Sequence, residues 1–143
     1  MSSPASRPIW SLHPQLARDT APVGDLALTR VLAMNDANYP WVILVPRRAD
    51  VVEIIDLDAA ERGQLMAEIA QVSAALKGLD RMRQAQCRGD RKRRAAAPRH
   101  VVARRTSDAA WPKPVWGAAP AKSYSGGELD SFIAALRRAL AIG

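Results

Sequence analysis

Six residues, WVILVP at positions 41–46, constrain this chain more than any other stretch. The run is continuously apolar, rich in branched side chains, and ended by a proline. Such a run predicts a central strand buried on both of its faces, so other strands must flank it and other elements must cover it. Just upstream, LALTRVLAM (26–34) has a mixed strand pattern, and NDANYP (35–40) is turn chemistry, because Asn, Asp and Pro all favour tight reversals. Together they predict an antiparallel hairpin.

Two helices are expected to cover that sheet. Residues 58–78 begin with Asp58 and Glu61, whose spacing of three matches a capping box that satisfies the orphan amides of a first helical turn. Leu65, Ile69, Val72 and Leu76 follow at spacings of four, three and four, which places them on one face. Gly78 is read as the stop. The tail ELDSFIAALRRALAIG (128–143) repeats the pattern with Leu129, Phe132, Ile133, Leu136 and Leu140. HVVAR (100–104) reads as a short strand. The class is α+β: an antiparallel sheet of about five strands, one long helix and a C-terminal helix. Residues 1–8 are expected to be a flexible N-terminus, and 9–143 a single domain.

Composition narrows the function classes. A length of 143 residues suits one domain with a real core. One cysteine, Cys87, excludes an internal disulfide and a multi-cysteine metal site, and two histidines, His13 and His100, cannot build a three-histidine one. No metal and no other cofactor is expected. No apolar run reaches the ~18 residues of a membrane span, and MSSPASRPIWSL has no signal-peptide core, so a cytoplasmic location is expected.

The net charge of +7 is misleading. Residues 81–105 hold 10 of the 21 Lys+Arg and only one acid, Asp90, so the remainder carries 11 basic and 13 acidic side chains, a net of −2. One segment, QAQCRGDRKRRAAAPRHVVARR (84–105), makes an otherwise acidic chain basic. It could be a salt-sensitive nucleic-acid arm, but no aromatic residues interleave the arginines.

With these pieces in order the chain resembles a histidine-triad (HIT) protein. The resemblance rests on LAMNDANYPWVILVPRR (32–48), DLDAAERGQLMAEIAQVSAAL (56–76) and HVVARRTSDAAWPKPVWG (100–117). In the bacterial branch it resembles, the strand before VVAR reads like GN-x-x-P-Q-L-H-V-H-V. The middle histidine attacks a nucleotide α-phosphate to give a nucleotidyl-histidine that water hydrolyses. The glutamine and last histidine position the phosphate, and alternation in a strand puts all three on one face. The resemblance therefore implies nucleotidyl hydrolysis or transfer on phosphoramidates or dinucleoside polyphosphates, a purine nucleotide or nucleoside phosphate as ligand, and a homodimer whose sheet continues across the interface.

Counting back from VVAR, His100 takes the last triad position, Pro98 the nucleophile, Ala96 the glutamine and Lys92 the asparagine. Only one of the four survives. Written as codons and read one base later, residues 84–100 can encode KLNVAAIGNVVPQLHV, flush against an intact HVVARR. This implies a displaced reading frame over residues 83–99, in which arginine codons arise by accident rather than for binding. Because guanidinium groups are costly to bury and Pro98 lacks a ladder amide, residues 83–98 are expected to be irregular, with strand structure resuming near Arg99 or His100.

Asn35 and Asp36 stand where the resemblance places a polar side chain on the ribose hydroxyls, although a plain Asx turn explains them equally well. Leu26, Leu28 and Val45 are candidate nucleoside contacts. Trp111 and Trp116 read as structural anchors, His13 as a surface residue, and Cys87 as a thiol without a function. The reading is of a nucleotide hydrolase lineage whose present sequence is expected to be inactive. The alternatives are a non-catalytic nucleotide-binding module and, behind it, a nucleic-acid binder using 88–99.

Overall fold

The structure is a computed structural model, and it describes residues 10–49, 51, 53–80, 84–89, 99–104 and 120–142. Among the described residues, five antiparallel strands form one sheet: β1 (Thr20–Asp25), β2 (Thr29–Met34), β3 (Trp41–Pro46), β4 (Gln84–Gly89) and β5 (Arg99–Arg104), in the spatial order β1-β2-β3-β5-β4. The WVILVP run is the middle strand β3, and all six of its residues are buried. β2 and β3 form the expected hairpin, with Leu32 opposite Ile43.

Alternation sorts the strands' side chains into two layers. Val31, Ala33, Val42, Leu44 and Val101 face a long helix, α2 (Ala59–Asp80), and a C-terminal helix, α3 (Glu128–Leu140), and pack there with Val72, Leu76, Ile133, Leu136 and Leu140. On the other face Leu32, Trp41, Ile43, Val45 and Val102 pack against Tyr39 and Leu16, the latter from a short helix α1 (Pro14–Asp19). Burial of these apolar surfaces from both sides drives the fold, at roughly 25 cal/mol per Å².

The capping box at the start of α2 is present. The Glu61 amide donates to Asp58 Oδ1 at 2.8 Å, and the Asp58 amide donates to Glu61 Oε1 at 3.1 Å. Gly78 does not stop the helix, which runs on to Asp80. A glycine closes a helix where it turns left-handed itself, and within a continuing helix it costs only about 1 kcal/mol relative to alanine.

The irregular stretch expected over residues 83–98 is also corrected in part. Residues 84–89 form β4, which pairs with β5 in a regular antiparallel register from Gln84–Arg104 to Gly89–Arg99. Among the described residues β4 is an outer strand paired with β5 alone, and backbone pairing does not depend on burying side chains from both faces. Residues 90–98, including Lys92, Ala96 and Pro98, lie outside the described residues, as do the expected flexible N-terminus 1–8 and both Trp111 and Trp116. β5 begins at Arg99.

Candidate functional site

Register places His100 directly opposite Ile43, and alternation puts its imidazole on the β3 face that carries Trp41, Ile43 and Val45. The residue is 1% exposed. Its Nδ1 accepts a 3.0 Å hydrogen bond from the indole N–H of Trp41, whose ring centroid lies 5.7 Å away. An indole nitrogen can only donate, so Nδ1 must accept, and the neutral ring then carries its proton on Nε2. Trp41 thus fixes both the orientation and the tautomer of His100. The sequence reading treated Trp41 only as core. The available signal was that residues diagonally opposed on neighbouring strands touch.

The other histidine, His13, does not join this site. It is exposed and caps α1, with Nδ1 accepting from the Gln15 amide at 3.1 Å.

Asn35 and Asp36 lie in the β2–β3 turn, and both are engaged. Asp36 is 5% exposed, and its Oδ1 accepts from the amides of Asn38 (3.0 Å) and Lys122 (3.3 Å). Asn35 is exposed, and its Oδ1 accepts from the Tyr124 amide at 3.1 Å. The Tyr124 phenol is pushed up to about 12, first by burial and then by the negative charges of Asp36 and Glu128.

The three candidate nucleoside contacts separate. Val45 is buried on the same sheet face as His100. Leu28 instead packs with Val51, Leu57 and Leu65, and Leu26 lies against the helix-side core. At the far end of the His100 face, Arg30 lies 5.0 Å over the Trp10 ring and grips Asp25 through two contacts of 2.8 and 3.2 Å. The Arg30 guanidinium holds the Asp25 carboxyl below its ordinary value.

Glu68 was missed by sequence reasoning. It is 1% exposed, and it accepts from the amides of Leu28 and Thr29 (2.9 Å each), the Thr29 hydroxyl (2.7 Å) and the Gln64 side chain. A lone acid three positions after Leu65, on the apolar face of the helix, was the signal. Among the described residues no group of three or more His, Cys, Asp or Glu could hold a metal, and no helix is long and apolar enough to cross a membrane.

Comparison with known proteins identifies the family. The HIT domain family matches residues 16–106. Among solved structures, a histidine triad protein from Bradyrhizobium japonicum is 48% identical with a TM-score of 0.90, covering 93% of this chain and 99% of that one. A histidine triad protein from Marinobacter aquaeolei VT8 is 33% identical with a TM-score of 0.89, covering 94% and 98% of the two chains. One from Sinorhizobium meliloti 1021 is 34% identical with a TM-score of 0.87, covering 92% and 97%. A search of curated proteins found no match. With a family model matching residues 16–106 and relatives that span nearly its whole length, this chain belongs to the histidine-triad family.

Proposed function

We propose that this chain is a purine-nucleotide-binding protein of the nucleotidyl hydrolase and transferase lineage, and that it holds its ligand without turning it over. The lineage chemistry acts on nucleoside phosphoramidates or dinucleoside polyphosphates through a phosphohistidine. That chemistry needs an imidazole lone pair aimed at the α-phosphate, two residues before the last triad histidine. Pro98 has no nucleophilic atom there, and the only histidine besides His100 is His13. His13 is committed to the start of α1.

The observation that carries the binding half is the Trp41–His100 pair. With Nδ1 accepting from Trp41, the imidazole is held in one orientation with its proton on Nε2, and holding that orientation in advance saves entropy when a phosphate binds beside it. Asn35 and Asp36 are assigned to the ribose hydroxyls, and Val45 to the nucleoside. No metal or other cofactor takes part. The protein acts in the cytoplasm as a homodimer, and the basic run is a product of the displaced reading frame, not a nucleic-acid arm.

Two assays on the full chain test this. Adenosine 5′-phosphoramidate should be left intact, while AMP at about 100 times its dissociation constant should add about 2.7 kcal/mol of stability and raise the unfolding temperature. Release of AMP above the blank rate would overturn the Pro98 argument. An unmoved unfolding temperature would overturn binding. Replacing residues 84–99 by KLNVAAIGNVVPQLHV, which sets histidine at position 98 and glutamine at 96, should restore turnover by at least about a thousandfold over the parent.

A further inference from the structure

The β2–β3 turn does more than reverse the chain. Four hydrogen bonds join it to residues 120–124: Lys122 N to Asp36 Oδ1 at 3.3 Å, Tyr124 N to Asn35 Oδ1 at 3.1 Å, Ala37 N to Lys122 O at 2.6 Å, and Asn38 Nδ2 to Pro120 O at 2.9 Å. Partners at 120, 122 and 124 alternate as they would along an added strand. Beyond them, the Tyr124 ring stacks on Phe132 of α3, with centroids 6.1 Å apart and planes at 22°. The segment is therefore fastened at one end to the turn and at the other to a helix packed on the core.

The oxygens that do the fastening are the ones assigned above to ribose. A carboxylate that binds a vicinal diol presents both oxygens to it. Asp36 Oδ1 already accepts two amides, and the residue is 5% exposed. A ribose hydroxyl seeking Oδ1 therefore meets the Lys122 amide as a competitor. The Lys122 contact, at 3.3 Å, is the longer of the two and the one whose loss leaves the turn itself intact.

We infer that Asn35 and Asp36 are a latch on residues 120–124, and that nucleotide opens it because ribose hydroxyls and the Lys122 amide compete for Asp36 Oδ1. The latch is read directly from the hydrogen bonds, whereas its opening rests on the nucleotide reading given above. In this chain the ribose site is autoinhibited, and its apparent affinity is reduced by the fraction of molecules in which the latch is closed.

Amide hydrogen exchange, resolved by residue in the full chain, tests both parts. Asp36→Ala should speed exchange at Lys122, and Asn35→Ala at Tyr124, each on the order of tenfold, as expected for loss of one ordinary hydrogen bond. Asp36→Asn keeps an acceptor oxygen in place and should stay within about twofold of wild type at Lys122. Saturating AMP should speed Lys122 exchange while slowing the amides of β3. If the alanine variants leave Lys122 and Tyr124 exchange unchanged, there is no latch. If AMP raises the unfolding temperature but slows Lys122, binding stands and the competition is overturned. If AMP changes neither, the nucleotide reading fails and the opening step falls with it, while the alanine variants still decide the latch. Should Asp36→Ala unfold the chain, the β3 amides would exchange fast as well, and Asn35→Ala would then decide.

Discussion

At the scale of single residues, the buried polar groups organise this molecule. Glu68 receives two main-chain amides at the entry to β2, together with a hydroxyl and a side-chain amide. Removing it strands those donors in the interior, and an unsatisfied buried donor costs about 1–3 kcal/mol. Glu68→Ala should therefore lower unfolding stability by about 2–4 kcal/mol in urea titrations, and Glu68→Gln, which keeps one acceptor, by less. A loss under 0.5 kcal/mol for the alanine variant would show that water replaces the carboxylate. Glu68 was illegible in the sequence because an acid reads as solvent-facing until the amides it serves are known, and those lie about forty residues away. The strand placement of His100 was legible, since HVVAR reads as a short strand and alternation fixes which face a residue takes. Its tautomer was not, because that depends on Trp41 across the ladder.

Among the elements, success followed the strength of local signals. The capping box of α2 was readable from two residues, and Asp58→Ala should cost about 0.5–2 kcal/mol of stability without moving the chain's far-ultraviolet helix signal by more than a turn's worth. No change in unfolding midpoint would mean that Arg48, which pairs with Glu61, holds the helix start alone. By contrast, α1 and β1 were not foreseen. Pro14 reads as a breaker, yet it stands at the first helical position, where a missing amide is harmless. Pro22 and Gly24 weaken a strand pattern, but β1 is an edge strand, and its register shifts between those two residues. Tertiary position decided both cases, and no local pattern carries it.

At the scale of the whole molecule, the described residues form one sheet with helices α2 and α3 on one face and the candidate site on the other. Sheet order leaves β4 with a single neighbour among the described residues, which suits the homodimer proposed above. Sedimentation at micromolar concentration should show a species of twice the chain mass, and a monomer throughout that range would remove the dimer from the proposal. The overall plan was legible because β2, β3 and the two long helices announce themselves through periodicity. The site was legible only in outline, since its pieces come from a turn, a strand and a C-terminal segment that no single motif spans.

The place of β4 at the end of the described sheet has a consequence for how freely its sequence can vary. Within one chain such a strand is tied in along one side by main-chain amides and carbonyls, and those atoms are the same whatever side chains the strand carries. β3 has no such latitude, since an ill-fitting side chain there meets packed layers above and below.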